Sequence, residues 1–506
     1  MALSNLGQEI ARAFVDQYYE KGHYRADHIE LLCEMATYYE DDSLSNAVCS
    51  SLFGIVVESL CDDFEDMPLG VYTRVMSQVI TTCRALPAGE ALDEALMTYG
   101  ITGFSDLYQR SNHVHVCEYT CDSQRPIRRI ILLSRVTIGA DVAILSVIIQ
   151  RMSRLFPEAE IVVVGNDKLR GVFGGHDRVR LVELNYSRRG GLFARFSSWF
   201  ELLAVLAREM PIESEDETLV IDPDSRLTQL GVLPVTHQDN YLFFNTRVFR
   251  PSSQGMRMGE RVNRWVDAVF RVSDTCTPRI WIPLAVEEQA RTHMTRLRQA
   301  GCLRIVTVNL GFGGNERKQL GIDFEKALLQ DLLKEAGTVV ILDRGFGATE
   351  QQRSADILAT TAQGGIRTAQ THLNDTHWPA LSHGVLAVEC TIGDMAALIA
   401  ESDEFIGYDS ACQHIAAACD TPVVTVFAGT NNEHFVQRWS ACGRTASHVV
   451  HVDTLSDAHV DIEKVMARIR QARPHLTKQE ARPPAALPIV PLEDNKTKTR
   501  KNAQSL

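Results

Sequence analysis

The sequence predicts an α/β protein in which two wound, parallel-sheet domains face each other across a cleft and follow an all-helical N-terminal module. Three observations predict this class. Apolar residues recur at the helical period through residues 1–120. From about residue 125, short β-branched runs alternate with helical segments. The same alternation restarts near residue 304, after a bridging stretch.

The N-terminal module, residues 1–120, is expected to be helical and to have its own core. The helical period runs through IARAFVDQYYEKG, HIELLCEMATYYE, AVCSSLFGIVVESL and VYTRVMSQVITTCRAL. At its end, HVHVCEYTC is expected to be extended, with His113, His115 and Cys117 on one face of a strand. With Cys121 they form a candidate zinc set, but the spacing matches no common zinc module, so ordinary packing is the favoured interpretation.

The first α/β domain is expected over residues 121–290. Its opening strand, RRIILLSRV, has the β-branched composition of a parallel strand, and the helix VAILSVIIQRMSRLF follows it. Further strands are predicted at AEIVVVG, VRLVELN, ETLVIDP and NYLFFNT. Because open sheets of this kind bind ligands beyond the carboxyl ends of their strands, the site is expected there.

The second α/β domain is expected over residues 291–475. Its predicted strands are RIVTVNLG, TVVILDRG, LAVEC, EFIGYDS and TPVVTVFAG. Its predicted helices are IDFEKALLQDLLKEAG, DMAALIAESD, HIAAACD and DIEKVMARIRQAR. The remaining residues, 476–506, are rich in proline and lysine and are expected to form a disordered tail.

Composition excludes several classes of protein. The chain has 506 residues, 45% of them hydrophobic, and a formal net charge of -13. A dedicated nucleic-acid-binding protein is usually basic, so no nucleic-acid partner is expected. No uninterrupted apolar run has the roughly 18 residues of a transmembrane segment, and the N-terminus lacks the pattern of a signal peptide. The twelve cysteines contain no CxxC pair, so a reduced, cytoplasmic chain is predicted, which can still act as a peripheral protein at the inner membrane face.

The sharpest chemical pattern is GYDSACQHIAAACDTPVVTVFAGT, residues 407–430. A strand ends at Asp409 and Ser410, two natural N-cap residues, and a helix begins there. The free N–H groups of a helix start favour an anion. His414, one turn into the helix, is close enough to contact the same ligand, and Thr430 lies in the loop after the next strand. The alternative is that Asp409 only caps the helix and His414 only packs.

A glycine-rich loop follows a strand in residues 308–328. Gly311, Gly313 and Gly314 would let backbone N–H groups approach a phosphate, and Lys318 would supply a positive charge. The segment is neither a GK[ST] phosphate loop nor a GxGxxG dinucleotide fingerprint. The alternative interpretation is a flexible surface loop with a solvated lysine.

The third segment, residues 132–165, joins the first strand to its helix. Gly139 permits a tight turn, and Asp141 lies near the start of the helix. A carboxylate at this place would face the cleft, where it can act as a general base. An N-cap aspartate without a chemical role is the alternative.

Taken in order, these segments resemble glycosyltransferase family nine, the ADP-heptose:lipopolysaccharide heptosyltransferase-like proteins, whose GT-B fold has two Rossmann-like domains facing a cleft. IGADVAILSVIIQRMSRLFPEAEIVVV resembles the family's IGD turn, helix and FPxAxI strand. VNLGFGGNERKQL resembles its glycine loop and lysine, and LVIDPDSRLTQL its vDlqg…rS segment. Residues 409–429 resemble its DSGxxHxAAAxxTPVVxxFG ending, so the resemblance spans residues 125–475.

The resemblance implies an inverting glycosyltransferase that moves a heptose-like sugar from a nucleotide-diphosphate donor to a hydroxyl of a cell-envelope glycan or glycolipid, as in lipopolysaccharide biosynthesis. The nucleotide sugar is the co-substrate, no other cofactor and no metal is expected at the cleft, and Asp141 is the implied catalytic base. The implied donor-binding residues are Gly311, Gly313, Lys318, Asp409, Ser410, His414 and Thr430. The candidate acceptor-binding residues are Arg188, Arg189, Asp222, Asp224 and Arg226.

Simpler interpretations of the acceptor residues stay open. Arg188 and Arg189 lie in YSRRGGLFARFSSWF, which also holds Arg195 and is equally consistent with a solvated arginine loop. For the two aspartates and the arginine of residues 222–226, pairing among themselves is the favoured interpretation.

The departures from the family pattern keep other functions open. Ala140, Ala411 and Ala428 interrupt its motifs, and residues 1–120 have no counterpart in ordinary heptosyltransferases. One alternative is a non-catalytic GT-B protein that binds sugar nucleotides or glycans, with residues 1–120 binding a protein partner. Another is a GT-B nucleotide-sugar epimerase, which needs no acceptor. An NAD-dependent oxidoreductase is disfavoured, because neither GFGG nor RGFG completes the GxGxxG fingerprint.

Overall fold

The computed structural model describes residues 2–38, 42–62, 66–186, 190–248, 253–313, 315–456, 459–473 and 490–491. It confirms the predicted class, because two α/β domains with parallel sheets follow an N-terminal helical region. The helices of that region are α1 (Ala2–Lys21), α2 (Ala26–Tyr38), α3 (Asp42–Ser51), α4 (Glu58–Asp62), α5 (Asp66–Arg84), α6 (Glu90–Met97) and α7 (Phe104–Val116). A π-helical segment, Leu52–Val57, joins α3 to α4.

The prediction of a strand at HVHVC is wrong, because residues 113–116 form the last turn of helix α7 and Cys117 follows as its C-cap. The buried side chains of α7 are Leu107, Ser111, Val114 and His115. Their spacing is that of one helix face, so the longer period of the helix overrides the short alternation at its end. His115 packs in the interior, where its Nε2–H donates to the carbonyl oxygen of Leu230 at 2.7 Å.

The expectation that the helical region has its own core is also wrong, because it shares one with the first sheet. Side chains of β1 (Arg129–Leu133) alternate between two cores. Ile131 and Leu133 pack with the helical region, whereas Ile130 and Leu132 pack on the opposite face of the sheet. The N-terminal helices therefore serve as the layer that covers one face of this sheet.

The first sheet has five parallel strands in the order β3-β2-β1-β4-β5. Its other strands are β2 (Glu160–Gly165), β3 (Val179–Glu183), β4 (Thr218–Asp222) and β5 (Tyr241–Phe243). The helices around it are α8 (Ile138–Leu155), α9 (Arg170–Phe173), α10 (Ser197–Glu209) and α11 (Met258–Phe270). A short strand, β6 (Val272–Ser273), and helix α12 (Leu284–Gln299) lead to the second domain.

The second sheet has seven parallel strands in the order β13-β12-β11-β7-β8-β10-β9. The strands are β7 (Arg304–Asn309), β8 (Thr338–Asp343), β9 (Thr368–His372), β10 (Gly384–Glu389), β11 (Glu404–Tyr408), β12 (Val423–Phe427) and β13 (Ser447–His451). The helices are α13 (Ile322–Leu332), α14 (Gly347–Gln363), α15 (Ile392–Ala400), α16 (Ala411–Ala418), α17 (Glu433–Trp439) and α18 (Ile462–Ala472). Of the tail predicted over 476–506, only β14 (Val490–Pro491), paired with β6, lies within the described residues.

One helical stretch of the described chain, Ser43–Leu60, has the length and composition of a membrane-spanning helix, with a mean hydropathy of 1.3. Serines and an asparagine interrupt it, so it contains no uninterrupted apolar run of that length. Its buried share is 44%, and Leu52 and Val56 lie in the core that the helices share with the first sheet. This packing is that of a core helix.

Two glycines bring the α/β domains into backbone contact. A Cβ atom added to Gly393, in α15, would lie 2.7 Å from the Cα atom of Gly171, in α9. No side chain fits at either position without moving a backbone, so the seam between the domains is set by this pair.

Replacing Gly393 by alanine should lower the free energy of unfolding by about 1–3 kcal/mol, the typical cost of overpacking. Gly54 is the matched control, because it also lies in a helix and has nothing within 4 Å of an added Cβ atom. Gly54→Ala should stabilise the protein through helix propensity. Thermal and urea unfolding would check both variants, and stabilisation by Gly393→Ala would contradict the tight seam.

Candidate active site

The predicted site residues gather where the strand order of each sheet reverses. In the first sheet this point lies between β1 and β4, and in the second it lies between β7 and β11. Helices leave neighbouring strands in opposite directions there, which opens a crevice at the carboxyl ends of the strands. The two crevices face each other, because a Cβ atom added to Gly139 would lie 3.1 Å from the Cα of Ala411 and 3.2 Å from Cδ2 of His414.

On the second domain, Lys318 and Asp409 form an ion pair beside the start of α16. The ammonium group of Lys318 donates to Asp409 Oδ2 at 2.7 Å and to the Asp409 carbonyl oxygen at 3.3 Å. Gln413 Nε2 donates to the other carboxylate oxygen at 2.6 Å. Lys318 keeps 28% of its side chain exposed, so one face of a fixed cation remains open to the crevice.

Ser410 and the glycine loop after β7 form hydrogen bonds with an amide side chain and with a carboxylate, respectively. Ser410 Oγ donates to Asn309 Oδ1 at 3.2 Å. The backbone N–H that follows Gly311 donates to Glu350 Oε1 at 3.1 Å, and Asp343 and Glu350 line the same small cavity as Gly311. Because Glu350 already accepts this N–H, the N–H is not free for a phosphate, and the carboxylate oxygens suit hydroxyl groups.

Two further loops of the second domain, at Gly313 and at Gly429, lie beside Lys318. Gly313 adopts a left-handed φ of 59°, and Gly314 lies outside the described residues. Gly429, with φ of 76°, packs so closely that an added Cβ atom would lie 2.5 Å from the carbonyl oxygen of Arg317. Thr430 follows it, and its carbonyl oxygen accepts a hydrogen bond from His451 Nε2 at 2.8 Å. The Thr430 loop therefore packs against the turn that carries Lys318.

His414 lies in the seam between the domains. It is buried, and its ring centre lies 6.2 Å from that of Trp439. Burial lowers the pKa of His414 to about 4, although Asp409 acts in the opposite direction. The imidazole is therefore neutral at physiological pH and serves as a hydrogen-bonding group rather than a charge.

On the first domain, Asp141 is buried in the first turn of α8, close to the end of β1. Its Oδ1 accepts the backbone N–H of Arg135 at 2.7 Å, and its Oδ2 accepts the hydroxyl of Ser134 at 2.8 Å. Burial raises the pKa of Asp141 to about 7, against the effect of these hydrogen bonds. Val136, in the turn between β1 and α8, has a φ of 70°, which is a strained conformation for a β-branched residue and is typical of functional sites.

The candidate acceptor residues of the first domain separate into different environments. Asp222 is buried, and its carboxylate accepts hydrogen bonds from Thr228, Tyr241 and the backbone of Ser225. Arg226 forms a two-pronged ion pair, with nitrogen–oxygen distances of 3.1 and 3.2 Å, to Glu58 of α4. Asp224 instead contacts a different set of residues, namely Arg135, Thr246 and Arg247.

The arginine loop after β3 is described only in part. Arg188 and Arg189 lie outside the described residues. Arg195 is buried, with its guanidinium carbon 4.5 Å from the ring centre of Phe53 in the helical region. Through this contact and the pair of Arg226 with Glu58, the N-terminal helices hold loops on the first-domain side of the crevice.

Sequence reasoning missed Arg135, Thr246 and Trp439, which also lie at this crevice. Arg135 and Thr246 lie at the carboxyl ends of the predicted strands RRIILLSRV and NYLFFNT, and that position is a signal for a crevice residue. No comparable signal marks Trp439. Within the described ranges, no group of three or more His, Cys, Asp or Glu side chains is placed to hold a metal ion.

The chain is similar to the crystal structure of the glycosyl transferase family 9 from Veillonella parvula, with 14% identity, coverage of 70% of this chain and 93% of that chain, and a TM-score of 0.47. It is also similar to E. coli ADP-heptose lps heptosyltransferase II, with 14% identity, coverage of 68% and 98%, and a TM-score of 0.46. No curated protein sequence matches the chain.

The similarity is also found at the level of sequence, in one segment of the chain. Residues 368–467 match the family described as glycosyltransferase family 9 (heptosyltransferase). This segment contains Asp409, Ser410, His414 and Thr430, and it excludes Lys318 and the whole first domain. The resemblance predicted from the sequence is therefore confirmed, and the matched segment of the second α/β domain is similar to glycosyltransferase family 9.

Proposed function

We propose that the chain is an inverting glycosyltransferase that moves a heptose-like sugar from a nucleoside-diphosphate donor to a hydroxyl of a cell-envelope glycan or glycolipid. The observation that carries the proposal is the contact of Gly139 with Ala411 and His414. It places the start of α8, with Asp141, opposite the start of α16, with Lys318 and Asp409. The family match of residues 368–467 supports the same reaction class.

We assign the donor diphosphate to Lys318 and the amino end of α16. A lysine ammonium has three N–H donors, and two of them are directed at Asp409. The pair therefore fixes the ammonium in place and leaves a donor for a phosphate oxygen. Free N–H groups at the start of α16 add to the attraction, and together they offset the charge that develops on the departing diphosphate.

We assign the nucleoside to the carboxylates near Gly311, apart from the diphosphate position at Lys318. Asp343 and Glu350 would accept hydrogen bonds from ribose hydroxyls, and they disfavour a phosphate at the same position. The donor would then lie with its ribose near Gly311, its diphosphate near Lys318 and its sugar toward the first domain. Ser410, His414 and Thr430 line the diphosphate and sugar part of this path.

We assign the general base to Asp141, with the acceptor on residues 121–290 and the donor on residues 291–475. Asp141 has the pKa of about 7 that suits proton transfer near neutrality. It is fully buried, so an acceptor hydroxyl reaches it only when the domains part at the contact of Gly139 with Ala411. The attacking oxygen would lose its proton to Asp141 as it bonds to the anomeric carbon and the nucleoside diphosphate leaves.

A transfer assay tests this function. The purified full-length protein would be incubated with radiolabelled nucleotide sugars and a cell-envelope glycan extract from a Gram-negative bacterium, and label in the glycan would be measured. Transfer that requires the extract supports the proposal. Turnover of the nucleotide sugar without any acceptor would support an epimerase instead, and tight donor binding without turnover would support a non-catalytic binding protein.

A further inference from the structure

A buried ion pair between Arg135 and Asp224 lies on the first-domain side of the crevice. The guanidinium of Arg135 lies 3.6 Å from Asp224 Oδ2 and donates to Thr246 Oγ1 at 3.0 Å. The Thr246 hydroxyl in turn donates to the same Asp224 oxygen at 2.5 Å. Arg247 also donates to this oxygen, so all of these contacts converge on Asp224 Oδ2.

The same pair leaves one donor and one acceptor unused. Arg135 Nε and Asp224 Oδ1 are buried and have no hydrogen-bond partner. Arg135 is 8% exposed and Asp224 is 1% exposed. Buried polar atoms without partners are costly and uncommon in native proteins, so each one calls for a reason. A free N–H donor and a free carboxylate acceptor on paired residues together match a hydroxyl group, which accepts one hydrogen bond and donates another.

The position of the pair points to the transferred sugar. The backbone N–H of Arg135 holds the carboxylate of Asp141 at 2.7 Å. The guanidinium carbon of Arg135 lies 5.7 Å from the ring centre of Trp439 in the second domain, and Trp439 lies 6.2 Å from His414. The pair therefore lies between the proposed base and the helix that receives the donor.

The backbone at both residues is held in uncommon conformations. Asp224 has a φ of 64°, and Val136, next to Arg135, has a φ of 70°. Such conformations persist only where surrounding contacts enforce them. Here they aim the two strand-end loops, after β1 and β4, at the same point of the crevice.

We propose that Arg135 and Asp224 form a clamp for one hydroxyl of the transferred sugar, in which Arg135 Nε–H donates to the hydroxyl oxygen and the hydroxyl proton is donated to Asp224 Oδ1. The clamp rests on the proposed function and deepens it, because it makes the pair a specificity determinant for the sugar rather than for the nucleotide. A sugar that lacks this hydroxyl leaves both buried atoms unpaired, and a site of that kind rejects such an analogue strongly.

The test measures the contribution of the sugar to binding separately from that of the nucleotide. Calorimetry would give the Kd of ADP and of ADP-heptose for the wild-type protein, for Arg135→Lys and for the control Arg180→Lys. Lysine keeps the positive charge beside Asp224 but lacks the Nε donor. Arg180 pairs with Glu160 and Glu209 at the opposite end of the same sheet. We expect Arg135→Lys to weaken ADP-heptose binding about tenfold while the Kd of ADP and the control stay unchanged.

A second measurement varies the sugar instead of the protein and then repeats the comparison in Arg135→Lys. Among ADP-heptose analogues that each lack one hydroxyl, one should bind the wild-type protein about tenfold more weakly than ADP-heptose does. The Kd of that analogue should not rise further in Arg135→Lys. An unchanged ratio of the two Kd values in Arg135→Lys, or equal weakening of ADP and ADP-heptose, would overturn the clamp. If the wild-type protein binds ADP and ADP-heptose with the same Kd, the clamp is wrong and the proposed nucleotide site is retained. Binding of neither ligand would overturn the clamp for an ADP-linked sugar, and the transfer assay with other nucleotide sugars would decide the proposed function.

Discussion

Replacing Asp141 by asparagine should lower kcat for sugar transfer by about 100- to 10,000-fold, the usual contribution of a general base. Asparagine has nearly the shape of aspartate, and its oxygen can still accept the backbone N–H of Arg135. The change therefore removes the proton acceptor and keeps the turn. Steady-state assays with saturating donor and acceptor would measure it, and a loss of less than tenfold would show that Asp141 is not the base.

Stability measurements separate this chemical role from a folding role. The folded protein raises the pKa of Asp141 from 3.8 to about 7, so the folded state binds this proton more tightly than the unfolded state. Ionisation of this carboxyl therefore lowers the free energy of unfolding as pH rises through that interval. Asp141→Asn removes the effect and should be at least as stable as the wild-type protein at pH 8. A variant that unfolds more readily at pH 8 would point to a structural role.

The pH dependence of the rate gives an independent check. Because Asp141 must be ionised to accept a proton, kcat/KM should fall about tenfold for each pH unit below its pKa of about 7. The residual activity of Asp141→Asn should lack this limb. A wild-type profile that is flat from pH 5 to about 8 would contradict a base with this pKa.

Replacing Lys318 by alanine should raise the Kd of a nucleoside diphosphate about 10- to 150-fold, which corresponds to the roughly 1.5–3 kcal/mol of a hydrogen bond to a charged group. The loss has two causes, because the variant lacks the cation and leaves the Asp409 carboxylate facing the phosphates. Calorimetry with ADP, UDP and GDP would measure the effect. The Kd of the corresponding nucleosides should not change, because they have no phosphate.

Two further variants serve as controls for Lys318→Ala. Lys318→Arg keeps the charge and should bind nucleoside diphosphates nearly as well as the wild-type protein. Lys334→Ala removes a lysine that is 71% exposed and pairs with Asp331 in the same domain, and it should leave the Kd unchanged. Unaltered binding of nucleoside diphosphates by Lys318→Ala would remove Lys318 from the proposed donor site.

The fold was predictable from sequence wherever a strand is buried on both faces. The central strands β1, β2, β7, β8 and β11 are apolar runs, and all were predicted at their observed places. Strands β9 and β13 were missed because they lie at the edges of the sheet and carry threonine, glutamine, serine and histidine. An edge strand needs little apolar surface, so periodicity does not reveal it.

The loops of the site were predictable from sequence, and their contacts were not. The rule that ligands bind at strand ends located the turns of Asp141, Lys318 and Asp409. It gave no information on which side chains meet across long distances in the chain. Arg226 pairs with Glu58, which lies 168 residues earlier, and Arg135 meets Trp439 of the other domain. These contacts depend on how whole layers pack, and no local pattern encodes that packing.

The core that the N-terminal helices share with the first sheet has a consequence for synthesis. Residues 2–116 leave the ribosome before β1, and the strand that completes the shared sheet ends only at Phe243. Until then, the apolar faces of the helices and of the early strands have no permanent cover, and such surfaces attract chaperones or other nascent chains. The first half of the protein should therefore mature as one late cooperative step, and cutting the chain between helices and sheet should yield two insoluble pieces instead of two domains.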